Sequence, residues 1–160
     1  MTRGTYAMVV LAAAMGLSGT ACSSSDSATK TSAAASSSSA AAASPVDSAT
    51  LPTLVPAPAG TQTTKGPDSI ADNGIHWRFQ VSGSPADVMS AYKAALGTKG
   101  WAVTTVVTSG GGGGGGATYT GTNGAAFGVF DGGGYQDKTW IDVCAWPSKP
   151  ADPNCVRGGG

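Results

Sequence analysis

From Ser23 to Thr50 the chain is almost unbroken Ser, Ala and Thr, with scattered Asp, one Lys and no Leu, Ile, Met or aromatic residue. Such a stretch cannot bury enough apolar surface to offset the entropy of ordering its backbone. Folding is thereby confined to the residues C-terminal to it. Pro45, Pro52, Pro56 and Pro58 stiffen the end of the stretch toward extended conformations. The composition predicts a disordered linker over 22–58, its Ser/Ala part spanning about 30 Å as a random coil. A folded module over 59–157 and a short disordered tail at 158–160 complete the chain. A module of about a hundred residues supports one modest core, marginally stable without further fastening.

Ahead of the linker, Arg3 gives a positive start, Ala7 to Leu17 an apolar run, and Ser18, Gly19, Thr20 and Ala21 the small residues that a signal peptidase accepts. The apolar run is interrupted by Gly16 and falls short of the roughly 20 residues that cross a bilayer. Residues 1–21 therefore read as a signal peptide. The stretch Leu17-Ser18-Gly19-Thr20-Ala21-Cys22 resembles the lipobox of bacterial lipoproteins. The resemblance implies a lipid-carrying Cys22 as first mature residue, and localisation at the extracytoplasmic face of a cell membrane. The alternative is ordinary secretory cleavage, which would leave a free thiol at the new N-terminus. Three cysteines favour the first reading, because a thioether at Cys22 leaves Cys144 and Cys155 as an even pair. Two acyl chains, at about 0.8 kcal/mol for each buried methylene, make such an anchor effectively permanent. The Ser/Thr/Ala/Pro stalk also resembles the O-glycosylated linkers of actinobacterial lipoproteins, which implies sugars on its hydroxyls.

Charged residues are 11% of the chain and their formal charges cancel. Without a basic patch there is no electrostatic footprint for nucleic acid.

In the module, Ile75, Trp77, Phe79 and Val81 alternate with His76, Arg78, Gln80 and Ser82, the period of a strand with one buried and one wet face. Ser84, Pro85 and Asp87 then form an N-cap, a first helical residue and an acidic partner, and Val88, Tyr92, Ala95 and Leu96 recur at helical spacing. Gly97 and Gly100 end that helix, and Trp101, Val103, Thr105 and Val107 resume strand alternation. Ala117–Thr122 and Ala125–Phe130 flank Asn123-Gly124, a pair suited to a two-residue hairpin turn. Thr139 to Trp146 gives a last strand, with Ile141, Val143 and Ala145 toward the core and Trp140, Asp142, Cys144 and Trp146 on the other side. A tail containing Pro147, Pro150 and Pro153 then folds back to bring Cys155 to Cys144, a short closure worth about 3 kcal/mol. The fold class expected is α+β: one amphipathic helix on an antiparallel sheet of four or five strands, open to solvent on its other face.

The run from Val88 to Trp101, with Leu96-Gly97-Thr98-Lys99-Gly100-Trp101 at its end and Pro58-Ala59-Gly60 upstream, resembles small lipoprotein modules of mycobacterium-like actinobacteria that carry a Leu-x-x-x-Gly-Trp signature. The resemblance implies fold and address. It brings no catalytic residues.

Each candidate for chemistry has a plainer reading. The seven glycines from Gly110 to Gly116 lack the Lys-Ser/Thr and helix of a phosphate loop, and read as a floppy connection. His76 is the only histidine, placed on the wet strand face with no metal-spaced partner in sequence, so no Ser-His-Asp or Cys-His set has a second base to draw on. Asp131 and Asp137 bracket a glycine-rich turn without a calcium-loop pattern. The expectation is no cofactor, no metal and no catalytic residue. Trp140 and Trp146, opposite the core side of the last strand, are candidate binding residues for an envelope protein, lipid or glycan unless the tail covers them. The functional expectation is a non-enzymatic binding module tethered to a membrane, with a structural spacer, a secreted soluble protein or an envelope hydrolase as alternatives.

Overall fold

The alternation around Trp77 produces strand β2 (Gly74–Ser82), in which Phe79 and Val81 are buried, and Ile75 and Trp77 pack against the same core. Trp77 stacks on Phe79 with ring centroids 5.8 Å apart. This and all other elements come from a computed structural model that describes residues 44–111 and 114–155. The signal peptide over 1–21, Cys22, the linker up to residue 43 and the tail at 158–160 lie outside the described residues.

Helix α2 (Pro85–Thr98) follows β2 and is capped at both ends by its own sequence. The Ser84 hydroxyl accepts from the Asp87 amide and donates to the Asp87 carboxylate at 2.6 Å. At the other end, Gly100 takes φ +88°. The Gly100 amide donates to the Gly97 carbonyl and the Trp101 amide to the Leu96 carbonyl, each at 3.0 Å. These two bonds are a Schellman motif, with Gly100 in the left-handed position and Leu96 and Trp101 as its apolar pair, both buried in the main core. The Leu-x-x-x-Gly-Trp run thus has a local physical meaning: it stops the helix and turns the chain into the next strand.

Six strands, not four or five, form one antiparallel sheet in the order β1-β2-β6-β5-β4-β3. Strands β1 (Thr61–Ile70) and β2 make a hairpin, α2 carries the chain to the far edge, and β3 (Ala102–Gly111), β4 (Gly114–Asn123), β5 (Ala126–Tyr135) and β6 (Lys138–Trp146) meander back beside β2. The additional strand is β1. It is polar and exposed almost throughout, and its register slips around the cis Gly66-Pro67 bond, so no alternation marks it.

Other expectations shift in detail. The glycine run is not a floppy connection at its described ends, because Gly110 pairs with Gly115 and Gly111 with Gly114 across β3 and β4. A backbone ladder needs no side chains. The β4–β5 turn is Gly124-Ala125, one residue beyond the expected pair, with Gly124 at φ +60°. Asn123 ends β4 instead, and its side-chain amide donates to the Lys99 carbonyl at 2.9 Å, covering the helix terminus. In β3 a register shift between Val103 and Thr105 ends the simple alternation, and the strand beyond it is exposed on both faces, Val106 and Val107 included.

The linker assignment ends too late. Asp47 caps a 3₁₀ turn (Ser48–Thr50) that leads into the short helix α1 (Leu51–Leu54), and Leu51 and Val55 lie within the main core. Two long-range hydrogen bonds hold this strap against the helix side. The Trp101 indole N–H donates to the Leu54 carbonyl at 2.9 Å and the Tyr92 hydroxyl to the Pro56 carbonyl at 3.1 Å. Phe130 sits beneath both rings, edge-on to Trp101 at 5.0 Å and to Tyr92 at 6.1 Å. Contacts of this geometry contribute about 0.5–1.5 kcal/mol each beyond area burial.

Candidate binding cleft

The face of the sheet away from α2 is not open along its whole length. Phe127, Val129, Cys144 and Trp146 form a second buried cluster there, with Ile70 and Cys155 packed on it. Three pieces of chain build the site around this cluster: the β1–β2 turn, the end of β6 and the tail.

The turn is shaped by Asp72 and Asn73, both in the left-handed region at φ +58° and +55°, which these short polar residues tolerate. The Ala71 carbonyl then accepts from the Gly74 amide and from the Trp146 indole N–H, both at 3.1 Å. The indole lies against Gly74 so closely that a Cβ there would meet it at 2.5 Å. Gly74 is therefore the slot into which Trp146 fits. Trp146 is buried at 3% exposure, so it serves as a wall rather than a free platform.

The tail is fixed by the Cys144–Cys155 disulfide, which pairs the two residues expected to pair. Between turn, tail and β6 lies a cleft of about 430 Å³. Ile70, Trp146 and the Cys144 sulfur form its apolar walls, and Asp72, His76, Asp152 and Asn154 bring polar groups to it.

His76 does not stand alone on a wet face. Its Nε2 lies 3.0 Å from Oδ1 of Asp142, and its side chain is only 16% exposed. An ionised carboxylate only accepts, so against ionised Asp142 the ring donates from Nε2. Arg78 Nη1 lies 4.0 Å from the same oxygen. The geometry follows from strand pairing, since His76 faces Cys144 and Arg78 faces Asp142 across β2 and β6. Asp142, at 2% exposure, is thus a buried carboxylate flanked by two cationic or ring-nitrogen groups. The same pairing supplies the metal-capable neighbours that spacing in sequence did not show: ligand atoms of His76, Cys144 and Cys155 all lie within 4.8 Å of one another.

Trp140, the other candidate, sits farther along the same face. It is half-buried between two smaller depressions of about 240 and 130 Å³ that share Arg78. Structure therefore separates the two tryptophans, one lining the cleft and one outside it. Asp131 is a strand residue, not a turn residue, and accepts from the Thr118 hydroxyl at 2.6 Å. Asp137 does lie in the β5–β6 turn, where its carbonyl accepts from the Gly83 amide at 2.9 Å.

Sequence reasoning missed Ile70, Asp72 and Asp142 as site residues. The first two belong to a hairpin that no apolar pattern announces, and the role of Asp142 depends on which strand lies beside β6. Comparison with protein-family models, with curated proteins and with solved structures finds no match to this chain.

Proposed function

We infer that the folded unit is a binding module for a small amphipathic molecule, held at the outer face of a bacterial membrane by lipid on Cys22. The observation that carries the binding reading is the cleft itself. Its volume falls in the range of ligand sites, about 300–1,000 Å³, and it combines apolar walls with a few convergent polar groups. Asp72 and Asp152 favour a ligand with an apolar body and a hydrogen-bond-donating or cationic head. The leader pattern and the cysteine arithmetic support the anchor.

N-phenyl-1-naphthylamine, a neutral aromatic amine, is a suitable probe. Its fluorescence rises on binding to the wild-type module, and Ile70→Glu, which puts a charge into the apolar wall, abolishes the rise while leaving the near-ultraviolet circular dichroism intact. No enhancement with the wild type would favour a spacer. Detergent-phase partitioning tests the anchor separately: the wild-type chain enters the detergent phase and Cys22→Ser stays in water.

A further inference from the structure

We propose that the Cys144–Cys155 disulfide is one state of a redox-gated zinc site, in which reduction frees two thiolates that join His76 around the ion. The proposal is independent of the ligand reading of the cleft.

The donor set is what zinc prefers: two sulfurs and an imidazole nitrogen, brought to one place by β2, β6 and the tail. The described structure already holds the three donor atoms within 4.8 Å of one another. In a tetrahedral site with Zn–S near 2.3 Å and Zn–N near 2.0 Å, two sulfurs and a nitrogen stand roughly 3.5–3.8 Å apart. The imidazole needs to close by about an ångström, and the sulfurs must separate once their bond is broken. Cys155 belongs to the terminal tail beyond β6, so movement there disturbs no strand ladder.

Asp142 strengthens the assignment. Asp142 holds the ring through Nε2 at 3.0 Å, so the other ring nitrogen, Nδ1, is the one that would meet the ion. A carboxylate–histidine–metal arrangement is the usual outer-shell support of zinc sites. Three protein ligands would leave a fourth position for water or a small ligand.

The reaction balances with an external dithiol as reductant. Its two thiols become a disulfide, and the two electrons and two protons convert the Cys144–Cys155 bond into two thiols. Zinc then binds both as thiolates and displaces the two protons. Two thiolates and a neutral imidazole neutralise the ion's charge, so a largely buried site carries no net charge.

The test uses the full chain carrying Cys22→Ser, so that Cys144 and Cys155 are the only thiols. The protein is reduced with a phosphine, desalted without oxygen and titrated with Co²⁺. The expected result is thiolate-to-cobalt charge transfer in the near ultraviolet with the ligand-field bands of a tetrahedral ion, both bleached by stoichiometric Zn²⁺. His76→Ala changes the ligand-field bands and weakens binding at least tenfold. Asp142→Asn keeps the band shape and weakens binding about tenfold or more, as removal of an outer-shell partner does. Near-ultraviolet circular dichroism covers the case in which reduction loosens the fold, because Zn²⁺ then restores the signal in the Cys22→Ser chain and fails to do so in His76→Ala. Absence of cobalt bands from the reduced chain, or bands and affinity unchanged by His76→Ala, overturns the proposal.

Discussion

Gly132 of β5 lies directly beneath Met89 of α2: a Cβ on the glycine would overlap the Met89 sulfur and stand 2.9 Å from its Cγ. Met89 is buried at 1% exposure, so any shift of its thioether has to be absorbed within the core. The distance between helix and sheet is therefore set at this glycine. Gly132→Ala is expected to cost about 1–3 kcal/mol as an overpacked core does, with Gly132→Val costing more. Urea denaturation of Gly132→Ala, Met89→Ala and the double variant checks it. The double variant should be more stable than the sum of the two single losses predicts, because the shorter side chain makes room for the added methyl. Strict additivity would show that the two residues do not compete for space.

Leu51 tests where the folded unit begins. It is fully buried in the main core although it lies within the Ser/Ala/Pro-rich segment. Leu51→Ala is expected to lower stability by about 2–5 kcal/mol, the range for emptying a buried leucine site. A disordered linker would give no change in the urea midpoint. Thr53→Ala, on the exposed side of the same short helix, is the control and should shift the midpoint little.

These positions also show how far the sequence can be read. The faces of β2 and β6 and both ends of α2 were legible because each is encoded locally, by alternation at Ile75 to Ser82, by capping at Ser84 and by the left-handed glycine at 100. The strap through Leu51 was hidden by its neighbours' composition, since Leu51, Leu54 and Val55 stand at helical spacing for barely one turn, between prolines and a polar stretch, too short a run to announce an element. Strand β1 was hidden for the opposite reason: an edge strand exposed on both faces has nothing to alternate. The tail disulfide was legible from counting and from the direction of Cys144. The cluster of His76, Asp142, Cys144 and Cys155 was not, because it exists only when β2 lies beside β6, and that pairing spans the whole helix and meander.

Tyr92 gives a pH-dependent prediction. Burial pushes its phenol well above the ordinary value near 10, because the ionised form would lose its hydration within the core. In the unfolded chain the phenol releases its proton near pH 10, whereas in the folded chain it retains it. Stability from this residue is thus complete below pH 10 and declines as pH rises above it. Tyr92→Phe removes the hydroxyl's bond to the Pro56 carbonyl, at a cost of about 0.5–1.5 kcal/mol at pH 7. It should also flatten the fall in stability between pH 9 and pH 11. Urea midpoints of both proteins across that interval measure the difference, and equal slopes would remove Tyr92 as its source.

The disulfide joins fastening to the shape of the cleft, and the two effects can be pulled apart. Cys144 and Cys155 are separated by 11 positions, and closing a loop of that size removes unfolded-state entropy worth about 3 kcal/mol. The Cys144→Ala, Cys155→Ala double variant should therefore unfold at lower urea concentration yet remain folded in its absence, since the main core on the helix side does not include either residue. The same variant frees Asp152 and Asn154 from their place beside Ile70 and Trp146, and naphthylamine fluorescence enhancement should fall sharply although the sheet persists. Asn154→Ala supplies the contrast: it leaves the bridge and the urea midpoint unchanged and weakens only the probe. If the unbridged chain binds the probe as tightly as the wild type, the tail is no wall of the cleft, and binding must be carried by the β1–β2 turn and Trp146 alone.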